Sequence, residues 1–560
     1  MNFSFPKIKR TNLIFVVLIL AASILASLPL LRGDFFHFSD EPHIANLYQM
    51  VRAIEAGQIP PRWAPDVSFE FGYPLFNFYY VLPYYLGSLI YFLSHSLIFS
   101  LKFVFFLTIP ASGIFMYLWL KKHTDSWAAL LGSILYIFTP YRAVDLYVRG
   151  AIGEAVAFVF FPLLLLAIFR IYEKGRSKDV GILAFITGLF LLSHNLAPIL
   201  FLPFAALYAL VLAKTFGSWK SLLRIILGFI LGLGIASYFV VPAFIEKGLL
   251  VGTTPFNYLD HFPFIKQLIY SPFRYGASLP GPNDDISFQV GIVNWILIIL
   301  SIVFLKQTLK KGKLLYALFS GSILLSLFLM NIRSTFLWEA FSLSTYIQFP
   351  WRILMLTTFL TSSLVIFVGS GKYRKALLAV LAAASILVNF SYFRPSEYFK
   401  ADDNYFLNRF FARRTSEGQA EMPSKDYFNY SEDYLLLPKW VEARPKALPE
   451  TKFTSEIVKI EKITQNSSVD YSAKLTGEGT VSFNSYYFPG WYATIDGKAA
   501  EIKPLKPLGN IGVEVKKGEG EVRVYWKETP LRTAMDIISL ISLTSALALS
   551  LFGGKIRLLL

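Results

Sequence analysis

"LIFVVLILAASILASLPLLRGDFFHFSDEPH", residues 13–43, contains the reading on which the fold turns. Residues 13–31 approach the ~20 apolar residues that an α-helix needs to cross a bilayer. The basic run before them, Lys7, Lys9 and Arg10, resembles the start of a signal peptide, but the apolar run ends in PLLRGDFF without a small-residue cleavage site. An uncleaved first helix is therefore expected. Directly after it, His37, Asp40, Glu41 and His43 crowd into seven residues where the chain leaves the hydrocarbon.

The rest of the chain is of the same kind. Of 560 residues, 55% are hydrophobic and only 16% charged, and the mean hydropathy is +0.51. This is the composition of a polytopic membrane protein. Cysteine is absent, which excludes disulfides, thiolate chemistry and cysteine metal sites. The formal charge of +16 sits in short basic clusters between apolar segments, which argues against a nucleic-acid partner and reads as a topology signal.

Those clusters are Lys7/Lys9/Arg10, Lys121/Lys122, Arg170 to Lys178, Lys214/Lys220/Arg224, Lys306 to Lys313, Lys372 to Lys375 and Lys555/Arg557. If all face the cytoplasm, the segments between them pair into hairpins and predict twelve spans. These are 12–31, 101–120, 126–142, 152–172, 180–194, 196–213, 222–242, 289–305, 314–331, 351–370, 376–393 and 533–552. The acids on the basic face are then only Asp125, Glu173 and Asp179. Residues 73–95 are apolar enough to cross, but a crossing there inverts every later cluster. Pro74, Pro83 and six tyrosines suit an interfacial or re-entrant helix.

The fold class expected is mainly α and polytopic, with a β-rich domain before the last helix. A transmembrane domain covers 1–393, with outer loops 32–100, 139–156, 243–290 and 332–350. Residues 394–530 form an extracytoplasmic domain, and 531–560 hold the final helix. Alternation over Ser467 to Phe483, the Asp-Gly turn in "TIDGKAAEI" and a hairpin in "VEVKKGEGEVRVYW" predict a small antiparallel sandwich. Its aromatics Tyr486, Tyr487 and Trp491 are either exposed contacts for an acceptor or sandwich core. The stretch "RFFARRTSEGQAEMPSKDY" reads as polar and irregular.

Five separated stretches bring polar groups to one face. A helix over Glu41 to Ala56 places Asp40 at its N-cap, so Asp40 either caps it or serves as a general base or metal ligand, with His37 or His43 assisting. "TPYRAVDLYVRGAIGEAV" carries Arg142, Asp145, Arg149 and Glu154, the first three spaced to share a helical face. They form either a structural Asp–Arg pair or an arginine site for phosphate. His194 and Asn195 interrupt an apolar stretch, as a hairpin cap or as part of a site. Asp260, His261, Lys266, Arg274, Asp284 and Asp285 lie in a Pro/Gly/aromatic loop. Gln348 and Arg352 stand at the end of a span, where Arg352 either snorkels or joins the site.

These stretches, from "SDEPHIANLYQMVRAIEAGQIPPRW" through "TPYRAVDLYVRGAIGEA", "LLSHN" and "SPFRYGASLPGPNDDISFQVG" to "YIQFPWR", resemble the prokaryotic membrane family labelled 6-pyruvoyl-tetrahydropterin synthase-related. That family is similar to a branch of the GT-C membrane glycosyltransferases, and "YYFPGWYATIDGK" is similar to the C-terminal domain of its YfhO-like members. Nothing in the residues resembles a soluble pterin enzyme. The resemblance implies a polyprenyl-phosphate sugar donor, an extracytoplasmic glycan, lipid or protein acceptor, and a cell-membrane location. It implies Asp40 as the catalytic carboxylate with Glu41 beside it. The substrate-binding set is His43, Arg62, Asp145, Arg149, Glu154, His194, Asn195, Arg274, Gln348 and Arg352. A divalent cation, Mg or Mn, is the one cofactor it allows, with Asp40 and Asp145 as ligands. The competing classes are a lipid or glycan transporter or flippase, and a non-catalytic envelope-assembly protein.

Overall fold

In the computed structural model of the chain, the described residues are 10–252, 257–369, 371–415, 427, 436–516 and 518–553. Every one of the twelve expected segments coincides with a helix. Nine helices among the described residues are long and apolar enough to cross a membrane, beginning with Leu13–Leu31 and ending with Pro530–Phe552. The remaining three, Ser126–Phe138, Ser177–Ser193 and Ile292–Val303, are shorter, at 13, 17 and 12 residues.

The helices pack by two devices. Aromatic stacks fill the centre, with Phe161 and Phe201 parallel at 4.2 Å and Phe359 edge-on to both. Small residues let other helices close up: a Cβ on Gly232 would lie 2.5 Å from Thr187 Cβ, and one on Gly188 would lie 2.7 Å from Ile235. Such contacts replace the hydrophobic drive that lipid cannot supply.

Residues 73–95 break in the middle. A one-turn helix at Leu75–Phe78 is followed by an extended Tyr79 and a second helix at Leu82–Ser94. At ~1.5 Å per residue, neither piece reaches across ~30 Å of hydrocarbon.

The polar loops divide cleanly between the two ends of the bundle. At one end, Lys122 pairs with Glu173 at 2.7 Å, Arg176 with Asp179 at 2.9 Å, and Arg374 with Asp125. These are the three acids of the basic face. The clusters at 7–9 and 555–557, like residues 416–426, lie outside the described residues.

At the other end, loops from across the chain interlock. Strand β1 (Phe35–Phe36) pairs antiparallel with β2 (Tyr398–Phe399), so residues just after 394 pack with the first loop. The helix Asp403–Phe410 lies on the helix His43–Glu55. The β-rich part is two packed sheets. One holds β3 (Phe453–Thr454), β6 (Gly479–Tyr486), β10 (Asn510–Val515) and β9 (Ile502–Leu505), in that spatial order. The other holds β4 (Lys459–Ser467), β5 (Asp470–Thr476), β11 (Glu519–Trp526), β7 (Trp491–Ile495) and β8 (Lys498–Ala500). The Asp496-Gly497 turn joins β7 to β8 with φ of 49° and 76°, the left-handed pair that a tight hairpin needs. "VEVKKGEGEVRVYW" is not a hairpin: its two strands, β10 and β11, belong to opposite sheets. Alternation reports which face a strand buries and leaves its pairing partner open.

The aromatics of "YYFPGWY" are not a free surface. Tyr486 and Trp491 are buried and Tyr487 is half-buried. Tyr486 donates its backbone N–H to Phe71 O at 2.9 Å and bonds Ser68 through its hydroxyl at 2.7 Å. Trp491 and Trp526 enclose Trp63 at 5.4 and 5.0 Å between ring centres. The sandwich thereby grips a segment in which Ser68, Phe69 and Glu70 are all left-handed, a conformation that persists only when its surroundings enforce it. Beside it, fully buried Arg62 donates to Glu528 at 3.2 Å, Asp536 at 2.9 Å and Tyr238 O at 2.7 Å.

Candidate active site

The first-loop helix begins at His43, not at Glu41, and Asp40 does not cap it. Pro42 precedes the helix with φ fixed at −54°, and the N–H of His43 goes to the backbone oxygen of Asp40 at 3.1 Å. The backbone thus makes the entry bond that the side chain was expected to make. Asp40 N–H is tied in turn to Arg149 O at 2.8 Å, and Ser39 N–H to Val148 O at 3.0 Å. This fixes the first loop against the second. The Asp40 carboxylate is 37% exposed, and its one ion-pair contact among the described residues is His43 Nε2, 4.0 Å away.

Glu41 has the opposite environment. It is buried, hydrogen-bonded to His37 at 2.6 Å and ion-paired to Arg409 at 2.8 Å, and the His37 ring stacks on Phe399 at 4.1 Å. Two adjacent carboxylates therefore divide the work: Glu41 clamps the segment after residue 394, and Asp40 faces the open side.

In the second loop, Val144–Arg149 forms a π-helical turn ended by left-handed Gly150, against which the Phe38 ring packs with no room for a Cβ. Such turns widen a helix and recur at functional sites. Arg142, expected on the same face as Arg149, instead lies 4.3 Å over the Phe158 ring and donates to Ser112 Oγ at 3.3 Å. Arg149 holds the centre. Its Nη1 lies 2.8 Å from Glu154 Oε1 and 3.4 Å from Asp145 Oδ1, and its guanidinium lies 4.9 Å over Trp351. Tyr141 donates to the other oxygen of Glu154 at 2.8 Å. Burial pushes the Asp145 carboxyl well above the usual range, helped by nearby Glu154.

Arg352 approaches the same acids. It lies over Phe349 at 5.2 Å, its buried Nε has no partner among the described residues, and it interacts electrostatically with Arg149, Glu154 and Asp40. Gln348, at the turn that presents Phe349 and Arg352, has φ 62° and ψ −58°, a strained backbone for a side-chain-bearing residue.

His194 reaches the cluster from the turn after Ser177–Ser193. Its Nδ1 accepts the N–H groups of Leu196 and Ala197 at 3.2 and 3.1 Å, capping the next helix. Its ring lies 5.1 Å from Tyr80, over Gly153, where a Cβ would sit 2.5 Å from the Tyr80 ring. Asn195 donates to Phe78 O at 2.8 Å and braces the break in 73–95.

Of the residues singled out from the sequence, Asp40, His43, Asp145, Arg149, Glu154, His194 and Arg352 converge. Arg62 stands apart in its ionic cluster with the final helix, and Arg274 pairs with Asp285 at 3.1 Å on the exposed loop. Tyr79, Tyr80, Tyr84, Tyr141 and Trp351 belong to the site and were not anticipated. The tyrosine-rich "NFYYVLPYY" carried the signal, but aromatics at a membrane boundary read first as interfacial anchors. Among the described residues, no three His, Asp or Glu side chains are placed to hold a metal ion, and Asp145 is engaged with Arg149.

Burial holds the His43 imidazole neutral, with its pKa pushed down to about 4. The unfolded chain protonates histidine near ~6.5, so below that it binds protons that the folded chain does not. Stability is therefore expected to fall as the pH drops from about 6.5 toward about 4. Thermal unfolding in detergent measures this, and His43→Gln should flatten the decline. An unchanged slope in that variant contradicts a neutral buried His43.

Residues 76–400 match the model of the 6-pyruvoyl-tetrahydropterin synthase related domain, described as a membrane protein. An uncharacterized protein of Lactococcus lactis is 31% identical over 244 residues, an alignment covering 42% of this chain and 40% of that relative's length. Among solved structures, arabinofuranosyltransferase AftD from Mycobacteria aligns with 75% of this chain and 31% of its own, at 13% identity and a TM-score of 0.46. The Archaeoglobus fulgidus oligosaccharyltransferase aligns with 79% of this chain and 61% of its own, at 12% identity and a TM-score of 0.44.

Proposed function

The chain belongs to the 6-pyruvoyl-tetrahydropterin synthase related family of membrane proteins, and from that premise we propose that it is a membrane glycosyltransferase using a polyprenyl-phosphate-linked sugar. The observation that carries this reading is one juxtaposition. A part-exposed carboxylate, Asp40, stands at the end of the bundle in electrostatic reach of two arginines, Arg149 and Arg352, whose guanidinium groups lie over aromatic rings.

The chemistry follows from that placement. A lipid-borne donor arrives within the bilayer, so its phosphate lies at the level where the spans end. Arg149 and Arg352 bind that phosphate through charge and planar donors. Asp40 takes the proton of the acceptor hydroxyl as its oxygen bonds to the anomeric carbon. The bond from that carbon to the phosphate oxygen breaks, and the second negative charge that develops on the phosphate is met by the arginines. The products are the glycosylated acceptor and free polyprenyl phosphate. The basic clusters at the far end of the bundle orient the site and the sandwich outward from the cytoplasm, in the cell membrane. The acceptor is then an extracytoplasmic glycan, lipid or protein.

The test is release of free polyprenyl phosphate by the full chain in liposomes, supplied with a panel of polyprenyl-phosphate-linked sugars and a cell-envelope extract as acceptor source. Release that depends on both donor and extract is the expected result. Release from none of the panel, by a preparation shown to be folded, overturns the reading.

A further inference from the structure

His43 is 2% exposed, sits on the first turn of its helix and is not part of any ion pair closer than 4.0 Å. Its Nδ1 is 2.7 Å from the Tyr84 hydroxyl. That hydroxyl accepts from Asn46 Nδ2 at 3.2 Å, and donating its own proton to His43 Nδ1 satisfies it in full. A neutral imidazole that accepts at Nδ1 carries its proton on Nε2. Tyr80 and Tyr84 are buried and stacked parallel, 4° apart in plane and 5.9 Å between centres, which leaves the chain of hydrogen bonds little freedom. The resulting Nε2–H has no partner among the described residues, and the carboxylate nearest to it is that of Asp40. The groups facing the ring are Asp40 on its own segment, Arg149 from the second loop, Tyr79, Tyr80 and Tyr84 from the broken helix, and His194.

We propose that His43 is a positioning residue for Asp40: its Nε2–H, set by the Asn46–Tyr84 relay, bonds the carboxylate once the acceptor closes the remaining gap and holds one oxygen toward the acceptor hydroxyl. This rests on the reading of Asp40 as the base. A buried N–H without a partner is costly, and such a group persists where it gains a partner during function. The relay also fixes what His43 does not do. With Nδ1 committed to Tyr84 and Nε2 protonated, it has no free lone pair with which to take a proton itself.

Two substitutions separate this role from simple packing. His43→Asn keeps an acceptor for Tyr84 but removes the Nε2–H, whereas His43→Gln places an amide N–H near the Nε2 position. In the polyprenyl-phosphate release assay, His43→Asn is expected to lose about 10- to 100-fold in kcat with donor KM unchanged, the scale of one charge-assisted hydrogen bond. His43→Gln is expected to recover to within about 5-fold of the parent. Independently of any substrate, imidazole nitrogen NMR of the full chain in nanodiscs should find His43 protonated at Nε2 and bare at Nδ1. Equal kcat for the two variants, or a protonated Nδ1, overturns the positioning role. If Asp40→Asn itself retains full turnover, the base assignment falls and the role of His43 falls with it. A dead Asp40→Asn together with equal His43 variants rejects the positioning role alone.

Discussion

Asp40→Asn is expected to reduce turnover by about 10²-fold or more while leaving the fold intact, since general-base catalysis is typically worth ~10²–10⁴ in rate. From the sequence alone, the substitution had a second meaning. A capping aspartate replaced by asparagine changes little, because the two cap about equally well. The structure removes that ambiguity: the side chain caps nothing, its backbone oxygen takes the N–H of His43, and its backbone N–H is anchored on Arg149 O. Asparagine keeps the shape and both backbone bonds but cannot take a proton. Release of polyprenyl phosphate measures turnover, and thermal unfolding measures the fold. Undiminished release by the folded variant rules out Asp40 as base. Glu41→Gln supplies the contrast. Its expected effect falls on stability, because Glu41 is held by His37 and Arg409.

Arg149→Met carries the largest expected cost to stability, about 3–5 kcal/mol, because it removes the cation from a buried cluster and leaves its acids without it. Glu154 and Asp145 are both fully buried, at 2.8 and 3.4 Å from Arg149. Removing the acid as well relieves the unpaired charge, so Arg149→Met combined with Glu154→Leu should recover much of the stability lost by the single change. Turnover should not recover, since the phosphate contact is still missing. Arg149→Lys keeps the charge but not the planar fork over Trp351, and is expected to raise donor KM with a smaller loss of stability. Thermal unfolding of the parent, Arg149→Met, Glu154→Leu and the double variant forms the cycle. A double variant as unstable as Arg149→Met shows that the guanidinium contributes by packing and not by charge.

The sequence legibly carried the membrane class, the positions of the helices and the segregation of acids from basic clusters. These follow from solvent. Hydrocarbon demands long apolar helices with satisfied backbones, and a residue-by-residue pattern records that demand directly. The gathering of charged residues where the spans end was legible too, because a charge there is costly unless it is used or paired. What the pattern did not carry was partnership. Nothing in "SDE" distinguishes Asp40 from Glu41. Arg409, more than 350 residues later, captures Glu41 and leaves Asp40 with His43 as its one ion-pair contact among the described residues.

By itself, the sequence determined that this chain is a polytopic helical membrane protein with a β-rich segment before its last helix, because periodicity and apolar length are local properties. Only the tertiary structure decided which charged residues come together. Arg62 looked like a site arginine in the long first-loop motif, but Glu528 and Asp536 bind it elsewhere. Tyr79, Tyr80 and Tyr84 looked like interfacial anchors, but they line the cluster around His43. Tyr486 and Trp491 read either as acceptor contacts or as sandwich core, and they close on Phe71 and Trp63 of the first loop. In each case the deciding group lies in a distant part of the chain. A buried charge or hydroxyl goes to whichever partner folding brings within hydrogen-bonding distance, and local sequence does not encode that distance.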